Sequence, residues 1–373
     1  MNIFNSLGSN YNLKIAFQTL FANNKKENKE KLVDFLENKY GGEVHLFYKG
    51  REALEAALKL LDLPNYNMVA INGFTCLVVC DAVKRADLRS IYLDIESSTL
   101  NFTANALEVE IRRNPKLKVV VVQHTLGISS EIKKISEICK SNGLVLIEDL
   151  AHSVGGVYGD LVTLSFSQDK IIDSVSGGAL IIKNKNLQKK VTFEKMGVGF
   201  FQQVKDRLYP LLTMIIRVTY PTGFGKVFHK TLKRMKFLSV PIEKLVVGLR
   251  DLPNWYCSVA LSYLENLDED IKHREKIVRI YKKDLVEKIR LNGSPLIRFP
   301  IIVEERSELI KVLKKRGVYV SDIWYDTLVT SKKRCPVSNR VSGKILNLPT
   351  HKNISEKKAK KICVIINQWI NSQ

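Results

Sequence analysis

From position 43 onward, short apolar runs alternate with longer stretches whose apolar residues recur at helical intervals. The runs predict strands over 43–48, where Val44, Leu46 and Tyr48 alternate, and over 68–71, 90–94, 119–123, 145–147, 161–166 and 179–182. Between them the spacing predicts helices over 52–61, with Ala53, Leu54, Ala57, Leu58 and Leu61 on one side, and over 77–85, 101–114 and 128–142. Ahead of these, Leu32, Val33, Phe35 and Leu36 mark a helix over 29–40 that Gly41-Gly42 stops. The run VVVVQ at 119–123 is so β-branched that it reads as a central buried strand. This alternation builds an α/β fold, its mostly parallel central sheet covered by helices on both faces.

Past 255 the pattern changes. One long helix is expected over 261–281, then a strand at 298–303, a helix at 308–316 stopped by Gly317, a strand at 318–323 and a last helix over 355–370. That suggests a large α/β domain over 1–254, containing a basic and apolar variable segment at 183–250, and a smaller α+β domain over 255–373. Residues 1–25 have no clean period and are expected to lie against the folded body.

Candidate chemistry gathers where the middle strands end. The 145–147 run meets Glu148-Asp149, followed by His152, and the 161–166 run delivers Ser165 and then Lys170. Open α/β sheets place ligand chemistry at the carboxyl ends of their strands. An acid, an imidazole, a hydroxyl and an amine there suit pyridoxal phosphate: the amine makes an imine, and the acid keeps the pyridine nitrogen protonated. Glu148, adjacent on a strand, points elsewhere and cannot duplicate Asp149. Lys49-Gly50-Arg51 is a glycine turn feeding a helix, a phosphate cradle in principle because the first helical amides lack helical acceptors. His124, leaving the 119–123 strand, reads first as a hydrogen-bonded structural histidine and second as a substrate neighbour.

Three blocks, E-D-L-A-H at 148–152, S-F-S-Q-D-K at 165–170 and G-G-A-L at 177–180, resemble the DegT/DnrJ/EryC1/StrS family in order and spacing; Leu348-Pro349-Thr350-His351 resembles its Leu-Pro-x-His element. The resemblance spans roughly 29–370 and is loose over 183–255. It implies an aspartate-aminotransferase-like fold (pyridoxal-phosphate fold type I) and an aminotransferase, working as a homodimer, that moves an amino group, from glutamate first, to a nucleotide-linked keto-sugar. By the same resemblance Lys170 holds the cofactor as an aldimine and shuttles protons, and Asp149 faces the pyridine nitrogen. His152 sits beside the ring oxygen, and Ser165, Gly50 and Arg51 hold the phosphate. The family's ring-covering aromatic is replaced by Cys76, with Phe74 the other candidate. Its partner-subunit phosphate ligand falls in a divergent stretch, where Asn254 or Arg250 would serve. Trp324 and Tyr325 would line the sugar site or lie in the core. Relatives with histidine at the lysine position are dehydratases, so Lys170 favours aminotransfer. Another carbonyl substrate, sugar dehydration, or a non-catalytic regulatory or structural relative are the alternatives.

Composition adds limits. The formal charge is +21, from 59 Lys and Arg against 38 Asp and Glu. Such a field favours anionic substrates, yet no nucleic-acid-binding motif accompanies it, which argues against nucleic acid. Six cysteines form no CxxC pair and no metal comb, so free thiols in a reducing compartment and no metal are expected. Nothing before Leu7 reads as a secretory leader, no window carries eighteen continuous apolar residues, and a cytoplasmic protein is the expectation. The apolar stretch 208–220 reads first as a buried helix or dimer contact. Flanked by basic residues at 226–236, it also suits peripheral contact with an anionic membrane at the inner face.

Overall fold

A computed structural model describes residues 2–238, 248–320 and 331–373. The first half runs β1 (Ile3–Phe4), α1 (Leu13–Leu20), α2 (Glu27–Tyr40), β2 (Glu43–Phe47), α3 (Gly50–Leu60), β3 (Met68–Asn72), α4 (Leu77–Arg85), β4 (Arg89–Leu93), α5 (Ala104–Arg113), β5 (Leu117–Gln123), α6 (Ile132–Ser141), β6 (Val145–Asp149), β7 (Leu161–Ser165) and β8 (Gly178–Ile182). There follow α7 (Lys185–Gln188), β9 (Lys195–Met196), α8 (Phe200–Thr219), α9 (Phe224–Arg234), β10 (Leu249–Arg250), α10 (Asn254–Leu264), α11 (Leu267–Asp284), β11 (Arg298–Ile302), α12 (Arg306–Lys315), β12 (Val318–Tyr319), α13 (Pro336–Lys344), β13 (Ile345–Pro349) and α14 (Glu356–Asn371).

Every strand expected between 43 and 182 joins one seven-stranded sheet, ordered β2-β8-β7-β6-β5-β3-β4. β8 alone runs opposite in direction to the other six strands. The period of two sorts β5 between two cores: Val119 and Val121 pack with α3 and α4, while Val120 and Val122 pack with α5 and α6. A third apolar layer joins α2 and α10 to the β2, β7 and β8 end of the sheet. The parallel strands β6 and β7 therefore end on the same edge, where Asp149 and Ser165 close them. Beyond the sheet, β11 and β13 pair antiparallel against α11, α12 and α14. The first residues cross to this side, since β1 pairs with β12.

Four boundaries differ from the periodic reading, each for a local reason. The helix expected over 261–281 is two helices. Leu264 and Leu267 are both buried, so the apolar period runs on through a break at Asn266 (φ −109°, ψ 17°). The helix expected from 128 starts at Ile132, because Leu126 and Gly127 both take positive φ and Ile128 is extended. The helix expected from 101 starts at Ala104, where the Thr103 side chain accepts from the Ala106 amide. The turn at 49–51 is already helical from Gly50, so Gly50 and Arg51 form the first turn of α3. The remainder of the strand expected at 318–323, with Trp324 and Tyr325, falls among 321–330, outside the described residues.

Candidate active site

Asp149 is held by its own strand end. Its Oδ1 accepts from the Ala151 amide at 2.9 Å and from the Thr163 hydroxyl of neighbouring β7 at 3.4 Å. Burial pushes the Asp149 carboxyl above its ordinary range, while the Ala151 amide and the Lys170 charge pull it back. Lys170 lies in the loop between β7 and β8. Burial lowers its amine to about 8; the Cys76 thiol and Asp149 oppose that shift, and Arg298 adds to it. Asp149 and Cys76 thus each lie within electrostatic reach of Lys170. An amine lowered to about 8 is free often enough near neutrality to act as a nucleophile. His152 is neutral, its imidazole pushed well down by burial first and then by the Lys170 and Arg298 charges. Its Nδ1 accepts a long 3.4 Å bond from the Leu126 amide, which leaves the proton on Nε2.

Beside this group lies a backbone cradle. A Cβ at Gly50 would sit 2.7 Å from the Ser165 Cβ and 2.9 Å from its Oγ. A Cβ at Gly178 would land 2.5 Å from the Gly50 Cα. The amino terminus of α3 is therefore pressed onto the ends of β7 and β8, with the Ser165 hydroxyl at its first turn. Amides at a helix start, with a hydroxyl beside them, bind phosphate. The residues present fit pyridoxal 5'-phosphate: a cradle with no room for a side chain, an amine and, within its reach, a carboxylate.

Of the two candidates for covering a ring, Phe74 is 1% exposed and packed in the core, whereas Cys76 is exposed at the start of α4. His124 is structural: its Nδ1 accepts from the Ser130 amide at 3.2 Å, so its Nε2 carries the hydrogen donated to Glu148 at 2.9 Å. Glu148 also accepts from the Tyr158 and Gly159 amides at 2.7 and 3.1 Å, which turns it away from Asp149. In the divergent stretch, Arg250 is engaged within its own chain: its Nη2 meets Glu52 Oε1 at 2.6 Å and its guanidinium stacks 4.3 Å from the Tyr48 ring centroid. Asn254 opens α10 and donates to the Asn24 carbonyl at 3.2 Å.

Four residues that periodicity does not reveal frame the Lys170 loop. The Asn10 amide donates to the Lys170 carbonyl and to Asp173. The Tyr11 hydroxyl donates to Asp173 as well, and Arg217 of α8 holds the Tyr11 carbonyl at 2.7 Å. Arg298, 3% exposed at the start of β11, lies 3.8 Å from Asp169. An arginine opening an otherwise apolar strand was the one sequence signal for it, since buried arginines are rare.

This fold, with an amine-bearing loop between the last two strands of a seven-stranded sheet, defines a pyridoxal-phosphate enzyme of fold type I, an aminotransferase. The chain belongs to the DegT/DnrJ/EryC1/StrS aminotransferase family, whose model matches residues 18–367. It is 22% identical over 366 residues to GDP-perosamine synthase of Escherichia coli O157:H7, covering 90% of each chain. It is 24% identical to the Vibrio cholerae enzyme of that name, covering 86% of this chain and 85% of that one. A DegT DnrJ EryC1 StrS aminotransferase from Brucella abortus superposes with a TM-score of 0.72 at 19% identity, over 95% of each chain. Sugar aminotransferase CalS13 from Micromonospora echinospora gives 0.69 at 16% identity, over 96% and 97%.

Proposed function

We propose that this aminotransferase moves an amino group from an amino acid, glutamate first, to the ketone of a nucleotide-linked sugar. The observation that carries the reading is the convergence of the lowered Lys170 amine, the Asp149 carboxyl and the Gly50–Ser165 cradle at one sheet edge. The relatives named for GDP-perosamine and for dTDP-4-amino-4,6-dideoxy-D-glucose support the substrate class. Pyridoxal phosphate, when bound, supplies the electron sink and carries the amino group between the two substrates. Asp149 would balance charge at the pyridine nitrogen. Gly50, Arg51 and Ser165 seat the phosphate. Cys76 gives the ring a thin cover, and neutral His152 donates from Nε2 beside the ring. With the cofactor bound, the Lys170 amine would be placed to act as the acid and base that carries the substrate proton.

The working unit in this reading is a homodimer, with Asn254 reaching the partner's cofactor phosphate and Arg250 retained by Glu52. The test is a panel of nucleotide-linked keto-sugars incubated with the cofactor-loaded protein and nitrogen-labelled glutamate. Label appearing in an amino-sugar is expected. Transfer to none of the panel, with label passing instead to keto compounds lacking a nucleotide that are run in parallel, would overturn the substrate class.

A further inference from the structure

Between the catalytic loop and α10, the chain inserts two helices joined by a tight turn, with Gly223 at φ +86°. Six of the fourteen exposed large apolar side chains among the described residues belong to this pair and its carboxyl cap: Phe200, Phe201, Val218, Phe224, Val227 and Met235. Scattered apolar residues on a surface need no explanation, but a concentration on one element does. On α8 the residues Phe201, Val204, Leu208, Leu211, Ile215 and Val218 follow a three-four spacing; Phe201 and Val218 are exposed and the four between them are partly buried. On α9, Phe224 and Val227 share an open face, while Gly225 and Leu232 face inward.

The charge around this face has one sign. Positions 200–236 carry eight Lys or Arg and one acid, Asp206. That acid is fully buried and accepts from the Tyr48 and Tyr256 hydroxyls, both at 2.6 Å. Lys226, Lys230, Lys233, Arg234 and Lys236 are all exposed. The only acid in 200–236 is thus buried, and that stretch offers no exposed carboxylate to its basic side chains. An apolar face flanked by lysines matches the boundary between acyl chains and anionic headgroups. No helix among the described residues is long and apolar enough to cross a membrane, so the match is to a surface.

We propose that α8 and α9 form a docking face for a bilayer rich in anionic lipid. The inference goes beyond the catalytic reading and stands without it, because it concerns a face whose open side chains take no part in the Lys170 cluster.

The experiment is vesicle flotation of the full-length, cofactor-loaded protein, using phosphatidylcholine alone and phosphatidylcholine mixed with phosphatidylglycerol, at low and high salt. Flotation with the anionic vesicles only, weakened by salt, is expected. Two variants are compared: Phe201→Ser/Phe224→Ser/Val227→Ser, and Lys226→Gln/Lys230→Gln/Lys233→Gln. Each is expected to lose more than about tenfold in binding, with melting temperature and sedimentation coefficient unchanged. The proposal is overturned by failure to float with anionic vesicles at low salt, or by equal flotation with neutral ones. It is equally overturned if the serine variant alters the sedimentation coefficient, which would assign the face to a contact between copies.

Discussion

The side-chain amide of Asn10 donates to the backbone carbonyl of Lys170 at 2.9 Å, and the same nitrogen reaches Asp173 Oδ2 at 3.0 Å. One residue of the amino-terminal segment thus fixes both the backbone of Lys170 and the carboxyl three positions on. Replacing Asn10 by Ala leaves the Lys170 loop less ordered without touching its amine. Cofactor affinity, followed by fluorescence titration, is expected to fall about tenfold, the equivalent of one charge-assisted bond. Unchanged affinity would show that the loop holds its shape alone.

Asp173 gives that latch a pH dependence. Burial first, then the Asp169 charge, raises its carboxyl from 3.8 to about 7. An acid whose folded pKa exceeds its unfolded one binds its proton more tightly when folded, so its contribution to stability falls as pH rises from about 3.8 to about 7. Asp173→Asn removes the titration. The melting temperature of the variant relative to the parent should therefore climb by several degrees across that window and level off above it. A constant difference would contradict the assignment.

How far the sequence alone carried is plain from these residues. The nearness of Asp149 and Lys170 was legible because each follows an apolar run of one of two adjacent strands, and strands β2 to β8 were legible because their runs are short and sharply bounded. The break at Asn266 was hidden because burial of Leu264 and Leu267 keeps the helical period across it. Asn10 and Tyr11 were hidden for another reason. Their bonds reach across 160 and more positions, and such side-chain contacts leave no periodic trace in their own neighbourhood. Phe74 and Cys76 were separable only by burial, which a loop sequence does not encode.

Arg298, 3.8 Å from Asp169, lies within electrostatic reach of the Lys170 amine. Its charge contributes to lowering Lys170. In the cofactor-free protein, the rate of pyridoxal phosphate capture should rise with pH around a midpoint near 8, following the free amine. Arg298→Gln should move that midpoint upward, toward that of an ordinary lysine. Stopped-flow absorbance over a pH series measures it, and an unmoved midpoint would remove Arg298 from the site.

Gly50 tests the cradle. A methyl group there meets Ser165 at 2.7 Å, so Gly50→Ala should cost about 1–3 kcal/mol of stability through overpacking. It should also weaken pyridoxal phosphate more than pyridoxal, which lacks the phosphate. Equal weakening of the two ligands, compared by equilibrium titration, would place the phosphate elsewhere.

Borohydride reduction of the cofactor-loaded protein, followed by peptide mapping, bears most directly on the whole reading, because it fixes the cofactor to whichever amine holds it. The mass of the reduced cofactor is expected on the peptide containing Lys170 and on no other. A label on a different lysine, or none on a protein shown to have bound pyridoxal phosphate, would contradict the account at its centre.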